Sequence, residues 1–261
     1  MPSSFDMPLD RRRLLGLASG AVAAALSPTA RAETVMQGEV KAIAFDGFVI
    51  FDPKPVFARV EDFFPGKGEA LVALWRTRQF EYCWLRTLTG NYADFWTVTE
   101  EALAFAAAAV KVDLTAERRD RLMQGFLEMK AHPDVKPGLD ALRAAGIRLA
   151  FLSNLTENML ASAIASAGLD GTFEQLFSTD RVRAYKPDPR AYRMAIDGFG
   201  LRKEEIAFAA FGGWDANGAR SFGYRTYWAN RQGLPVEELD AKPDAIGNGV
   251  AELVRFATGA G

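Results

Sequence analysis

The 261-residue sequence predicts an α/β protein: a Rossmann-like parallel-sheet core with a helical subdomain inserted behind the first strand. Three observations carry this. The stretch Lys41-Ala-Ile-Ala-Phe-Asp-Gly-Phe-Val-Ile-Phe-Asp-Pro53 begins with a short apolar run of the kind a buried strand needs. From about Val56 to Lys130 the pattern is helical almost throughout. From Gly138 onward short apolar runs alternate with helical stretches, which implies right-handed crossovers and a parallel sheet covered on both faces.

The first run carries a carboxylate, Asp46, in its middle. An unpaired buried carboxylate is costly, so the strand is expected to end there. Asp46 then either turns the chain or is delivered to a pocket. In the insertion, "EALVALWRTRQFEYCWLRTLTG" puts Leu71, Leu74, Trp75, Arg78, Tyr82 and Leu85 at helical spacing, with Gly90 after its end. "DFWTVTEEALAFAAAAVKV" is a second helix with Thr97 or Thr99 as its cap, and Thr115 opens a third. The alternating units follow: "GLDALRAAG" helix, "IRLAFLSN" strand, "ENMLASAIASAG" helix, "QLFST" strand, "DPRAYRMAIDGFG" helix, "EIAFAAF" strand, "WDANGARSFG" helix and "RTYWAN" as a last strand. The domain division expected is 40–54 with 133–257 for the core and 55–132 for a helical cap.

Residues 1–32 are expected to lie outside this fold. A basic start at Arg11, Arg12 and Arg13 precedes an apolar run from Leu14 to Leu26, too short to span a bilayer, and a small-residue site at Ala30-Arg31-Ala32. This is the order of a signal peptide, and Arg12-Arg13-Leu14-Leu15, or the pair one residue earlier, has the look of a twin-arginine signal. The expectation is passage through the twin-arginine export machinery, cleavage near Ala32 and a mature periplasmic protein. An uncleaved anchor is the alternative.

Composition narrows the chemistry. A formal net charge of −2 argues against a nucleic-acid surface. The single cysteine, Cys83, excludes an internal disulfide and a multi-cysteine metal site, and reads as core. The single histidine, His132, precedes Pro133 in a loop-like stretch and is expected at the surface. Catalysis is left to carboxylates, Lys, Arg, Ser or Tyr.

Ligands of open α/β sheets sit at the carboxyl ends of the strands. There the sequence offers Asp46, Ser153-Asn154, Lys186 a short loop after the third strand, and Gly212-Gly213-Trp214-Asp215. Each has a plainer reading alone: Ser153-Asn154 or Asp215 as helix caps, Lys186 as a solvated side chain. Together, in this order, they point to one site.

That order resembles the haloacid dehalogenase superfamily. From about Val40 to Phe256 the chain is similar to the L-2-haloacid dehalogenases (type II), on "FPGKGEALVALWRTRQFEYCWLRTLTGNYADFW", "LSN", "YKPDPRAYRMA" and "WDANGARSFGYRTYWANR". Phosphatases of the superfamily place a second Asp two residues after the first, to protonate the leaving group. Here it is Phe48, and a halide needs no proton. They also hold magnesium with an Asp about where Ala210 stands, and this edge offers few oxygens for a hard cation. The resemblance therefore implies a metal-free, cofactor-free hydrolase acting on a small 2-halocarboxylate. Asp46 attacks C2, and water then hydrolyses the aspartyl ester. It further implies that Arg76, helped by Asn154, receives the halide and that Ser153 holds the substrate carboxylate. Lys186 sets a positive charge beside Asp46, Tyr192 is an active-site tyrosine, and Asp215 positions Lys186 or the water. Phe48, Phe95 and Trp214 line the apolar part, and a homodimer is implied through the helical insert. Three departures stand out: one residue is missing after Phe48 so that Val49 takes the place of a threonine, and Ala210 and Gly212 replace a serine and an asparagine. These groups serve the hydrolytic half-reaction, so an impaired enzyme or a non-catalytic carboxylate-binding protein is the alternative; a phosphatase-like hydrolase ranks below it.

Overall fold

The computed structural model describes residues 39–259, and the expected export signal lies outside them. In chain order the strands are β1 (Ala42–Phe45), β2 (Phe51–Asp52), β3 (Lys130–Ala131), β4 (Arg148–Ser153), β5 (Gln175–Ser178), β6 (Ile206–Ala210), β7 (Arg225–Ala229) and β8 (Ala245–Gly247). The helices are α1 (Gly47–Ile50), α2 (Lys54–Phe63), α3 (Gly68–Thr89), α4 (Phe95–Ala109), α5 (Ala116–Gln124), α6 (Val135–Ala144), α7 (Glu157–Ala167), α8 (Pro189–Phe199), α9 (Gly213–Phe222) and α10 (Val250–Thr258).

Six strands form one parallel sheet in the order β5-β4-β1-β6-β7-β8, so β1 lies inside it, flanked by β4 and β6. Phe45, the last residue of β1, stands opposite Phe151 and Ala209, which brings the ends of three strands to one level. The pleat sends alternate residues to opposite faces. Ile43 and Phe45 join a core with Leu139, Leu160 and Leu253 of α6, α7 and α10. Ala42, Ala44 and Ala210 join another with Ala195 and Ala219 of α8 and α9. The β8 strand, Ala-Ile-Gly, escaped the sequence because three residues with one large apolar side chain do not stand out from a loop.

The helical insertion, α2 to α5, leaves and re-enters the core through the antiparallel pair β2–β3, with Phe51 opposite Ala131 and Asp52 opposite Lys130. Two-residue strands leave no period to read. In α3 the buried stripe is Leu71, Trp75, Gln79 and Cys83, each one turn on from the last. Trp75 Nε1 donates to the Thr99 carbonyl at 2.8 Å, and Gln79 Nε2 donates to Thr99 Oγ1 at 2.6 Å, tying α3 to α4. The cap of α4 is Asp94, which accepts from Thr97 N at 2.8 Å; Thr97 and Thr99 lie inside the helix. Thr115 does cap α5, and Gly90 ends α3 in the left-handed region at φ 71°. Cys83 is buried, and burial pushes its thiol pKa well up, so it packs as an apolar group.

His132 is not a surface residue. Its backbone N–H donates to the Ile50 carbonyl at 3.0 Å beside the β2–β3 pair, which holds the ring against the core. The ring lies 3.4 Å from the Phe48 carbonyl, and burial, then Arg231, lower its pKa.

Candidate active site

Asp46 follows the last residue of β1 and caps α1, accepting a hydrogen bond from Phe48 N at 2.9 Å. One carboxylate oxygen is thus committed to the turn; the other, Oδ2, accepts from Lys186 Nζ at 2.7 Å. Lys186 is wholly buried, and its ammonium also donates to Asp215 Oδ2 at 2.6 Å. Burial opposes its charge, but the two carboxylates outweigh burial and raise its pKa. The ammonium sits between the acids, where a cation bound by both would have to sit.

Asp215 lies in the first turn of α9 and not at its cap, which is Gly212. Its Oδ1 accepts from the Tyr192 hydroxyl of α8 at 2.7 Å. Burial, partly offset by Lys186, pushes the Asp215 pKa up to about 6. Burial and the neighbouring Asp215 push the phenol of Tyr192 well up, so it stays a donor. The loop after β4 supplies the rest. Asn154 Oδ1 accepts from the Lys186 backbone N–H at 3.1 Å, and Ser153 Oγ accepts from Leu155 N at 3.2 Å. Gly47 is needed here, because a Cβ at that position would stand 2.6 Å from Leu155 Cδ1 and 3.0 Å from Ser153 Oγ.

Above Asp46 is a tight cavity of about 10 Å³, lined among others by Phe48, Phe80, Phe95, Leu155, Phe211 and Trp214, with Ser153, Asn154 and Asp215 at its polar side. Phe48 and Phe211 rings are 5.7 Å apart, and Trp214 packs 5.4 Å from Phe80. Arg76 does not line this cavity. It lines a neighbouring one of about 420 Å³, with Phe80, Phe211, Gly212 and Trp214 common to both walls. Its guanidinium lies 5.4 Å from the Phe57 ring centroid, and burial lowers its pKa. Among the described residues it has no hydrogen-bond or ion-pair partner, which leaves a half-buried cation facing that space.

The structure thus gathers Asp46, Ser153, Asn154, Lys186, Tyr192 and Asp215 with Phe48, Phe95 and Trp214, and places Arg76 one aromatic layer away. Phe80 and Phe211 escaped the sequence reading. Phe80 is one helical turn beyond Arg76, and Phe211 sits between two of the departures, Ala210 and Gly212. Those spacings were the available signals. Val49 and Ala210 are wholly buried. Gly212 has an ordinary φ of −97°, but a Cβ there would stand 2.7 Å from Trp214 Nε1. The indole occupies the room a longer side chain would take.

A parallel α/β sheet presenting a carboxylate at its first strand end, paired to a buried lysine and a second acid, defines a hydrolase working by carboxylate chemistry. A family model described as haloacid dehalogenase-like hydrolase matches residues 33–223. The chain belongs to the haloacid dehalogenase-like hydrolase family. It is 40% identical to haloacetate dehalogenase H-2 of Moraxella sp. (strain B), over 79% of this chain and 92% of that one. It is 39% identical to an (S)-2-haloacid dehalogenase of Pseudomonas sp. (strain YL), over 85% and 97%. A crystal structure of an L-2-haloacid dehalogenase superimposes with TM-score 0.82 at 41% identity, over 84% of this chain and 99% of the other.

Proposed function

We propose that the protein is an (S)-2-haloacid dehalogenase that works through an ester on Asp46. The observation that carries this is the buried Asp46–Lys186 pair at 2.7 Å, opening on an aromatic cavity with Phe48 where a leaving-group acid would stand. Asp46 attacks C2 of the acid, the carbon–halogen bond breaks, and halide departs with its electron pair. An aspartyl ester remains. Water then adds to the aspartyl carbonyl carbon while Asp215 takes its proton. The acyl C–O bond breaks, the leaving oxygen takes that proton from Asp215 to give the 2-hydroxy acid, and the new Asp46 carboxyl loses its own proton to solvent. The expected result is halide release from L-2-chloropropionate in the presence of a chelator. Release no faster than from an Asp46→Asn variant would overturn the proposal.

A slowed second half-reaction has its own support. Val49, Ala210 and Gly212 bring no hydroxyl or amide side chain to the carbonyl that water attacks, and the loss of one such donor costs about 100- to 1,000-fold. The reading to set against turnover is a protein that binds small carboxylates without reacting.

Export and pairing complete the proposal. The basic start at Arg11, Arg12 and Arg13, the short apolar run after it and the Ala30-Arg31-Ala32 site support residues 1–32 as a twin-arginine signal and a periplasmic mature chain. Leu85 and Leu88 of α3 and Phe105 of α4 are exposed large apolar groups, which supports a homodimer through the insert. Cell fractionation and light scattering of the purified protein test these two readings; a cytoplasmic full-length chain, or a monomer at micromolar concentration, contradicts them.

A further inference from the structure

The cavity at Asp46 is about 10 Å³, roughly the space that holds one water molecule. Its far wall is shared with a cavity of about 420 Å³. Four residues stand in both walls. Gly212 brings no side chain, Phe80 comes from the helical insert, and Trp214 is wedged between Phe80 and Trp84. The fourth is Phe211, on the loop after β6, whose ring packs on Phe48, two residues from the nucleophile. Its backbone carbonyl accepts from Trp228 Nε1 at 3.0 Å, so the residue is anchored through its main chain while its ring meets the cavity.

We infer that Phe211 sets the size of acid this site takes, and that the preferred substrates are haloacetates, which carry no alkyl group on C2. The inference rests on the dehalogenase reading and deepens it. A substituent on C2 has to go somewhere once C2 is in line with the Asp46 carboxylate. The polar side holds Ser153, Asn154 and Asp215, and the remaining directions are closed by Phe48, Phe95, Leu155 and the shared aromatic wall. The space as it stands is smaller than any haloacid, so the wall has to yield even for a haloacetate, and further for each carbon added to C2. Removing the Phe211 ring joins the small cavity to the large one and supplies the room. Interiors are close-packed, so a site this tight discriminates by single methylenes, at roughly 10- to 200-fold each.

The test compares kcat/KM for chloroacetate and L-2-chlorobutyrate in the wild-type protein and in Phe211→Ala. Primary and secondary carbons differ in intrinsic reactivity, but that difference cancels between the two proteins. The wild type is expected to favour chloroacetate, and Phe211→Ala to lower the ratio at least tenfold, chiefly by raising the value for the larger acid. Phe80→Ala, on the opposite side of the same wall, is expected to move the ratio the same way and serves if Phe211→Ala does not fold. A wild type that takes both acids equally, or folded variants whose ratio does not move, overturns the inference and leaves the dehalogenase reading standing. Neither halide nor an Asp46 ester from either acid removes that reading and the inference with it.

Discussion

Lys186 shows what one buried charge does when its partners are fixed by three different elements. Asp46 comes from the end of β1 and Asp215 from α9, with Tyr192 of α8 behind it. The lysine itself follows β5, and its main chain is held by Asn154. Breaking a buried pair leaves an uncompensated charge, so all of these positions are interdependent. Asp215 must be ionised to accept a proton from water, and its pKa is pushed up to about 6 by burial. In the ester Asp46 carries no charge, so its share of that upward push is gone, and hydrolysis should rise with pH through a value below 6 and level off above it. Lys186 has a raised pKa and stays charged throughout the neutral range. A rate for ester decay that stays flat over the whole acid range in which the protein remains folded would show that another group takes the proton. Asp46, Ser153, Asn154, Lys186 and Asp215 were legible in the sequence because polar residues at or just after strand ends are conspicuous, whereas Tyr192, inside α8, came only through the family resemblance. Phe80 and Phe211 were not, since an aromatic at helical or strand spacing looks the same whether it fills a core or walls a cavity. His132 was misread because the β2–β3 pair that buries it is too short to see.

At the scale of elements, the insert is held by α3 against α4, and Trp75 is the centre of that contact. It is 1% exposed, meets Phe57 and Phe126 edge-on at 5.6 and 5.8 Å, and donates to the Thr99 carbonyl. Trp75→Ala should cost about 3–5 kcal/mol, from a large cavity and the lost hydrogen bond to the Thr99 carbonyl. Denaturant unfolding followed by circular dichroism reads this; a loss below about 1 kcal/mol would mean the helices repack without it. The long helices were legible because their apolar positions recur every three to four residues over several turns. Their caps were less so. For the start of α4 the sequence pointed to Thr97 or Thr99, both within five residues of the true cap Asp94, and only the fold shows that Thr99 turns inward to Phe95 O and Gln79.

For the molecule as a whole, the sheet and its insert divide the work. The sheet fixes the reacting carboxylate to within hydrogen-bonding geometry, while the insert contributes Arg76, Phe80 and Phe95 from α3 and α4. Alternation of strand and helix gave away the doubly covered parallel sheet, but not its sixth strand or the two-strand stalk, whose lengths carry no period. The three departures at Val49, Ala210 and Gly212 were legible only by comparison with a family pattern, and the packing adds that Trp214 has taken the room beside Gly212. The central claim is that Asp46 becomes an ester whose hydrolysis is the slower half of the cycle. It is tested most directly by mixing the protein with excess L-2-chloropropionate, quenching in acid at successive times and measuring the mass of the peptide bearing Asp46. The account predicts that this peptide gains the propionate fragment early, retains it after the free acid is removed, and shows no gain in Asp46→Asn. Halide release at full rate with the peptide unmodified at every time point would contradict it.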